Sequence, residues 1–391
     1  MPEGLALEGI RVADFSGGLA GPLAAMVLAE HGAEVVKVES VDRGDLSREV
    51  DPVLFLSLNR NKRSLAVNLK DPRGLAAVRA LVAGLDVLVE NFRPGVMERL
   101  GLGHETLRQL NPKLIYASFT GFGPEGPDSL RRAVDTVAQA ETGLAALNAP
   151  PGGAPTPVRM TIVDVTGGLA LAQGVLAALI RRGRTGVGER VEANLLGSAL
   201  FLQINAVAHY SVTGLEPREA PPSGGPAQVF QAQDGAIFLA TFYQDHFVKA
   251  CRIMGLDDLA DDPANGSISL RAGRLQLLAG RFAEKIAQRP RAEWLALFEK
   301  SGLLYATVKG YAETFASPQV RANGSLFDLA VDGGATIKAV RLPYQLASGW
   351  RSEDRPPPRL GEHSREIMAE IGQADVLDEL ERDGVIVQSN T

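Results

Sequence analysis

One carboxylate in the sequence stands where it could act as a nucleophile. Asp164 ends the stretch MTIVD (160–164), which predicts a strand, and the following residues 165–168, VTGG, predict a turn into a helix. An aspartate at this place commonly caps the helix. The two glycines would also let a ligand approach the backbone and would leave N–H groups to stabilise an oxyanion. Two roles are therefore open for Asp164, a helix cap and a covalent nucleophile.

A glycine-containing loop near the N-terminus could bind an anion. Residues 16–22, SGGLAGP, join a predicted strand to a predicted helix, and backbone N–H groups at such a junction attract negative charge. The dinucleotide-binding fingerprint requires glycine at its first, third and sixth positions. Counted from Gly17, the third position is Leu19 and the sixth is Pro22. Nicotinamide binding is therefore not favoured, and Glu39, alone at the end of a predicted strand, is weak evidence for it.

Basic side chains in the first half of the chain could bind phosphate or carboxylate groups. They are Lys62, Arg63, Lys70, Arg93, Arg99, Arg131 and Arg132. Most charges of this kind are solvated, but the cluster at 60–63 favours a local phosphate or partner contact over a nucleic-acid surface. The five histidines are far apart and lack the spacing of metal ligands, so no metal site is predicted.

The composition excludes several classes of protein. The 391 residues include 40 lysines and arginines against 46 aspartates and glutamates, and a net charge of −6 opposes nucleic acid as the main partner. The single cysteine, Cys251, excludes an intrachain disulfide and favours a reducing compartment, so we expect a cytoplasmic protein. The longest apolar stretch, 167–180, is short for a bilayer and contains Gln173, so no membrane span is expected.

Short apolar runs alternate with helical patterns, which predicts an α/β fold with a parallel sheet. The predicted strands are 10–15, 35–39, 63–69, 86–92 and 114–122, with 160–164 as a further one. The predicted helices are 22–32, 71–84 and 167–183. The second helix has Asp71 as its expected N-cap and Pro72 in its first turn.

The pattern of linkers predicts more than one domain. A stretch rich in proline and glycine at 214–228 separates a large domain (1–215) from a smaller α+β domain (225–325). The smaller domain begins with a hairpin around Asp234-Gly235. A C-terminal segment (330–391), which includes a proline run and a final helix, returns to the large domain.

Several ordered motifs together resemble the family III CoA-transferases, the family of formyl-CoA and L-carnitine CoA-transferases. The motifs are LEGIRVADFSGGLAGP, GAEVVKVE, NRNKRSLAVNLKDPRG, DVLVENFRPGVMERLG, ASFTGFG, TIVDVTGG, RTGVGERVEANL and RLGEH. They lie between residue 7 and about residue 200 and again at 359–363, so the resemblance covers most of the chain outside the small domain.

The resemblance implies that the protein moves CoA from an acyl-CoA donor to a small carboxylic acid acceptor. Asp164 then stands at the nucleophile position and forms an aspartyl anhydride followed by an aspartyl-CoA thioester. No metal and no cofactor beyond the CoA substrate are implied. The positions that match the CoA contacts of the family are Gly18, Leu19, Ala20, Val67, Lys70, Asn91, Phe92, Arg99 and Arg132.

The resemblance also implies an assembly and leaves specific questions open. It implies a Rossmann-like large domain and an interlocked homodimer. Asp135 could orient the site or cap a helix. Ser40 stands where the family often has a basic or bulky residue near the adenine. Some members have a glycine-rich lid, and the nearest match to it in this sequence is Ser223-Gly224-Gly225. The acid pair, the pathway and the choice between inter- and intramolecular transfer stay open.

Two other functions remain possible. The same fold hosts α-methylacyl-CoA racemases, which move an α-proton with a histidine and an aspartate, but the segment 132–135 contains no histidine. The chain could also be a non-catalytic subunit of a heteromeric transferase, although the presence of Asp164 argues against that role.

Overall fold

The structure is a computed structural model that describes residues 4–150, 153–216, 225–347 and 354–389. The chain divides into two compact units, a large unit (1–208 and 324–391) and a small unit (209–323). Part of the predicted linker, 217–224, lies outside the described residues, and Ser223 and Gly224 with it.

The large unit is built on a seven-stranded sheet. Its strands are β1 (Arg11–Asp14), β2 (Glu34–Glu39), β3 (Lys62–Val67), β4 (Val87–Glu90), β5 (Ile115–Thr120), β6 (Arg190–Asn194) and β12 (Ile386–Val387). Their order is β12-β3-β2-β1-β4-β5-β6, and every pair is parallel except β12 with β3. Without β12, this is the strand order of the Rossmann fold. The prediction of an α/β fold with a parallel sheet is confirmed.

Helices cover both faces of this sheet. Those of the large unit are α1 (Ala20–Glu30), α2 (Ser47–Val50), α3 (Pro52–Leu58), α4 (Pro72–Ala83), α5 (Val96–Arg99), α6 (His104–Leu110), α7 (Asp135–Glu141), α8 (Leu144–Leu147), α9 (Ile162–Thr185), α10 (Leu195–Leu202), α19 (Ser364–Glu370) and α20 (Leu377–Arg382). A further helix, α11 (Ile204–Thr213), contains the boundary between the units.

Successive strand residues point to opposite faces, so the sheet has two apolar cores. Val12, Val87 and Ile115 join the core that includes α1 and α9. Ala13 and Leu88 join the core that includes α4, α19 and α20. Strands buried on both faces read as nearly continuous apolar runs, and this is why the sequence identified them.

The prediction of a strand at 160–164 is wrong. Ile162, Val163 and Asp164 form the first turn of α9, and the sixth strand of the sheet is β6, after that helix. The β-branched run in 161–163 favours a strand locally, but tertiary contacts decide otherwise. By length and composition, α9 could cross a membrane. It packs against α1, α10, β5 and β6 of the large unit.

The small unit has its own sheet and core. Its strands are β7 (Ala227–Ala232), β8 (Gly235–Ala240) and β9 (Leu304–Thr307), all antiparallel. Its helices are α12 (Gln244–Ile253), α13 (Asp257–Ala260), α14 (Ile268–Ala272), α15 (Leu275–Ile286), α16 (Arg291–Lys300), α17 (Tyr311–Ala316) and α18 (Pro318–Ala322). Phe247, Phe282 and Trp294 lie at the centre of the core. The predicted hairpin around Asp234-Gly235 is confirmed.

The C-terminal part of the chain belongs to the large unit. It forms a hairpin of β10 (Leu326–Ala330) and β11 (Thr336–Val340), followed by α19 and α20. Strand β12 then pairs with the edge of the large sheet through Ile386 opposite Val67.

Candidate active site

A cleft of about 440 Å³ opens at the carboxyl ends of β1, β4 and β5. In an open parallel sheet, ligands bind at this edge where the winding direction reverses, which here is between β1 and β4. Six of the residues predicted for the site line the cleft together: Gly18, Leu19, Asn91, Phe92, Arg132 and Asp164. They come from four separate parts of the sequence, so the fold brings the predicted nucleophile and the predicted anion loop to one place.

The glycine loop is fixed from the side of β4. The Asn91 side chain accepts a hydrogen bond from the Gly17 N–H at 2.9 Å and donates one to the Gly17 carbonyl at 2.7 Å. Gly18 follows with a φ of 76°, a conformation that a residue with a side chain rarely adopts. The N–H groups of Leu19, Ala20 and Gly21 make no hydrogen bond within the described part of the chain. They are therefore available donors at the start of α1.

Asp164 is half-buried in the first turn of α9 and lines the cleft. Burial, with a smaller contribution from the charge of Asp135, raises the pKa of its carboxyl to about 6. No described residue forms a salt bridge or a side-chain hydrogen bond with it. A carboxylate without a partner in a cleft is less stabilised than one in water, and it is therefore more basic and more ready to react with an electrophile.

Asp135, and not Asp164, caps the helix that carries Asp164. The Asp135 Oδ2 atom accepts hydrogen bonds from the N–H groups of Val163 at 2.8 Å and Asp164 at 2.9 Å. Its Oδ1 atom accepts one from Gln139 Nε2 at 2.6 Å. The N-cap residue itself, Thr161, forms no side-chain cap. Of the two roles left open for Asp135, the structure shows the cap, supplied across the fold from α7.

The glycine pair after Asp164 does not supply free donors. Gly167 and Gly168 lie inside α9, where backbone N–H groups bond within the helix. A Cβ atom on Gly168 would lie 2.6 Å from the Ala20 carbonyl oxygen, and one on Gly167 would lie 2.5 Å from the Phe119 ring. The glycines therefore allow α9 to pack closely against α1 and β5. The expectation of an oxyanion site in a glycine turn at this point is wrong.

Two arginines of the cleft are free to bind an anion. Arg93 and Arg132 line the cleft and form no ion pair with any described residue. Arg131 also lines it, but its guanidinium pairs with Glu141 at 2.6 Å. Guanidinium groups bind phosphate and carboxylate oxygens with paired hydrogen bonds.

A second groove of about 510 Å³ adjoins the cleft and shares Gly17, Gly18, Asn91 and Phe92 with it. Its far side is apolar, with Leu46, Val50 and Leu54. Ser40 lines it as well. Glu39 already has a partner, because both of its carboxylate oxygens accept hydrogen bonds from the Arg48 guanidinium group at 2.8 Å. A ribose contact of Glu39 is thus not supported.

Four of the predicted contact residues lie outside both the cleft and the groove. Ala20 is buried at the start of α1, and Val67 is buried at the end of β3. Lys70 and Arg99 are exposed, and Arg99 lies beside Gly95. Their part in CoA binding stays a prediction.

The basic cluster at 60–63 is not a surface for phosphate. Arg60 pairs with Glu30 at 2.9 Å, and Arg63 pairs with Glu370 at 2.6 Å. Lys62 pairs with the buried Asp14 at 2.8 Å. The expectation of a phosphate or partner contact is wrong, because each cation already has a carboxylate partner from a distant part of the chain. Sequence reasoning also missed Asp14, whose only signal is its place at the end of the first strand.

The site contains neither histidine nor a metal cluster among the described residues. No histidine lines the cleft: His31 stacks on Tyr344, and His104 packs against Tyr116. Within the described ranges, no group of three or more histidine, cysteine, aspartate or glutamate side chains could hold a metal ion.

Comparison with known proteins identifies the family. The model of CoA-transferase family III matches residues 7–364, and the chain belongs to this family. It is 35% identical to the succinyl-CoA:glutarate CoA-transferase of Mus musculus, with 98% of this chain and 91% of the relative covered. It is 34% identical to the acetyl-CoA:oxalate CoA-transferase of Acetobacter aceti, with 93% and 95% covered.

A solved structure agrees with this assignment. A CAIB/BAIF family protein from Brucella suis is 30% identical and superposes with a TM-score of 0.85 over 94% of this chain and all of that chain. The protein is thus a family III CoA-transferase that acts on acyl-CoA and carboxylic acids.

Proposed function

We propose that the protein transfers CoA between carboxylic acids through covalent intermediates on Asp164. The observation that carries the proposal is an Asp164 carboxylate that has no ionic partner among the described residues and lines one cleft with Arg93, Arg132 and the glycine loop. Burial raises its pKa to about 6, so it is ionised at neutral pH and still basic enough to attack.

The first half of the reaction releases the donor acid. An Asp164 oxygen attacks the thioester carbonyl carbon, the C–S bond breaks, and a mixed anhydride and CoA thiolate result. The thiolate attacks the aspartyl carbonyl carbon, and the anhydride C–O bond breaks to release the donor carboxylate. The aspartyl-CoA thioester that remains conserves the energy of the original thioester bond, so no external source of energy is needed.

The second half repeats these steps in reverse order with the acceptor. The acceptor carboxylate attacks the aspartyl thioester and displaces the thiolate, and the thiolate then attacks the acceptor carbonyl of the new anhydride. The product acyl-CoA leaves and the Asp164 carboxylate is restored. Each tetrahedral oxyanion needs donors, and the N–H group of Leu19, which lines the cleft and makes no hydrogen bond within the described part of the chain, is the proposed one.

The glycine loop, Asn91, Phe92 and Arg132 would hold the CoA part of the substrate, with the apolar side of the second groove against the adenine. Ala20, Val67, Lys70 and Arg99 complete the proposed contact set. No cofactor beyond the CoA substrate is part of the proposal. The cytoplasm is the proposed location.

Dicarboxylic acids are the favoured acceptors. The names of the two relatives give glutarate and oxalate as their acids. Arg93, which lines the cleft without an ionic partner among the described residues, supports this choice, because an acid with a second carboxylate needs a cation for the group that does not react.

The interlocked homodimer that the family resemblance implies is the proposed assembly. Apolar side chains of α10 and α11 support it: Phe201 is 69% exposed and Ile204 is 60% exposed. Large apolar side chains that are exposed in this way are often buried in an interface. Light scattering at decreasing protein concentration should show a dimer throughout, and a monomer at every concentration would exclude it.

The covalent route is tested by mass spectrometry. The protein is incubated with a panel of acyl-CoAs and trapped with hydroxylamine or borohydride, beside the variants Asp164→Asn and Asp128→Asn. Asp128 is exposed and close in sequence to the residues of the cleft, so it is the matched control. A modification on Asp164, kept in Asp128→Asn and lost in Asp164→Asn, is expected. Binding of acyl-CoA without an adduct from any donor would contradict the covalent route.

The two alternative functions predict different results. A racemase would exchange the α-proton of an acyl-CoA into deuterated water without an acceptor acid. We expect no exchange, because none of the described histidines lines the cleft. A non-catalytic subunit would be inactive alone, whereas the purified chain is expected to transfer CoA unaided.

A further inference from the structure

Four buried charges lie beneath the glycine loop. Asp14 ends β1, Lys37 lies in β2, Lys62 begins β3, and Asp45 follows β2 in a loop. The side chains of all four are completely buried. We call them the buried quartet. With two cations and two anions, the buried quartet has no net charge when all four groups are ionised, which is the arrangement that burial of charge requires.

Three members of the buried quartet hold the backbone of the glycine loop. Asp14 Oδ1 accepts hydrogen bonds from the Ser16 N–H, at 3.0 Å, and from the Ser16 hydroxyl. Lys37 Nζ donates to the Ser16 carbonyl at 2.8 Å, and Asp45 Oδ1 accepts from the Gly18 N–H at 3.1 Å. The course of the loop from Ser16 to Gly18 therefore depends on these charges.

Lys62 completes the network with three donors for three acceptors. Its Nζ donates to Asp14 Oδ2 at 2.8 Å, to Asn59 Oδ1 at 2.8 Å and to the Pro22 carbonyl at 2.9 Å. An ammonium group has three N–H donors, whereas a neutral amine has two and a lone pair. Loss of the proton would leave one acceptor without a donor and the buried quartet with a net negative charge.

We propose that Lys62 is a positioning residue that holds the glycine loop in its binding conformation, and that loss of its proton weakens the binding of acyl-CoA. This inference rests on the proposed function, in which the loop binds the CoA part of the substrate. Lys62 reaches the loop through Asp14, and it reaches the first turn of α1, which follows the loop, through the Pro22 carbonyl.

The environment of Lys62 places this change near physiological pH. Burial lowers the pKa of Lys62 to about 8, with a further lowering by the charge of Lys37 that Asp14 and Asp45 oppose. Asp14 keeps a pKa lowered to about 2, because the two lysines outweigh its burial. Lys37 keeps a raised pKa, because Asp14, Asp45 and Glu39 together outweigh its own burial. Lys62 is thus the member of the buried quartet that loses its charge first as the pH rises.

The test measures binding of acetyl-CoA by calorimetry from pH 6.5 to pH 9. The Asp164→Asn variant is used because it cannot turn the thioester over. With a pKa of about 8, about one tenth of Lys62 stays protonated at pH 9, so the dissociation constant should rise by up to about tenfold above its value at pH 7. A dissociation constant that does not change between pH 7 and pH 9 would overturn the inference.

Variants in the same background separate positioning from general stability. Lys62→Met should bind acetyl-CoA about tenfold more weakly, without the alkaline change. The added substitution Asp14→Asn should restore part of the affinity, because it removes the excess negative charge that Lys62→Met leaves in the buried quartet. Arg63→Met is the control: its partners Glu366 and Glu370 are in α19, so it should lower stability without changing the dissociation constant or its pH dependence.

The outcomes distinguish this inference from the proposed function. A folded Lys62→Met variant with unchanged affinity would overturn the positioning role alone. If Lys62→Met does not fold, the pH dependence of acetyl-CoA binding by the Asp164→Asn protein still tests the role of Lys62. Failure of that protein to bind acetyl-CoA at any pH would overturn the proposed function and this inference with it.

Discussion

Replacement of Asp164, the proposed nucleophile, should stabilise the fold, and the size of the effect follows from the environment of its carboxyl group. The pKa of Asp164 is raised from 3.8 to about 6, chiefly by burial. The folded state therefore binds a proton more tightly than the unfolded state, and ionised Asp164 costs the folded state about 3 kcal/mol. This cost is complete above pH 6, decreases as the pH falls from 6 to 3.8, and disappears below 3.8. Asp164→Asn, which is neutral and of the same size, should remove it.

The assay is denaturant unfolding of the wild type and Asp164→Asn at two pH values. At pH 8 the variant should be more stable by up to about 3 kcal/mol, and at pH 4.5 by about 1 kcal/mol. Asp128→Asn, at an exposed position, should differ from the wild type by less than about 0.5 kcal/mol at both pH values. Equal stabilities of wild type and Asp164→Asn at pH 8, or a gain of equal size at both pH values, would refute the argument from burial.

Three further predictions concern the same helix and its chemistry. Gly168→Ala should lower the free energy of unfolding by about 1–3 kcal/mol, since its Cβ would lie 2.6 Å from the Ala20 carbonyl oxygen. Gly183→Ala, in open space on the same helix, should raise it by about 0.5–1 kcal/mol, and equal effects of the two would exclude close packing as the cause. Asp135→Ala should cost about 1–3 kcal/mol through the loss of two charge-assisted hydrogen bonds to the α9 backbone, and Asp135→Asn less; unchanged thermal unfolding of Asp135→Ala would contradict the cap. In single-turnover experiments, the rate of adduct formation on Asp164 should fall about tenfold per pH unit below 6, and a rate that is constant down to pH 4.5 would show that its pKa is not raised.

Several of the strands and helices predicted from apolar periodicity and capping residues agree with the structure. The strands at 10–15 and 35–39 and the helix at 71–84 are present as β1, β2 and α4, because apolar period and capping residues act within a few residues of the chain. Asp71 caps α4 through the Arg73 N–H, as its sequence predicts. The loop at 16–22 lies at the start of a helix for the same local reason.

The helical position of Asp164 depends on contacts between distant residues, which the local sequence does not reveal. Residues 160–164 favour a strand by composition, yet Ile162 begins a helix. Asp135, 29 residues before Asp164, accepts hydrogen bonds from two N–H groups of its first turn. The glycine pair was expected to face a ligand, and it instead faces Phe119 and Ala20. Neither contact leaves a signal in the neighbouring sequence.

The sequence by itself determined the α/β class, the order of most elements and, through its motifs, the family and the residue proposed as nucleophile. Only the tertiary structure decided which charges are available. All four of Lys62, Arg63, Arg93 and Arg132 are basic residues that the sequence does not distinguish. In the structure, Lys62 forms an ion pair with Asp14 and Arg63 forms one with Glu370, whereas Arg93 and Arg132 line the cleft. The physical reason is that a charge acts through its partners and its burial, and the fold brings these together from distant parts of the chain.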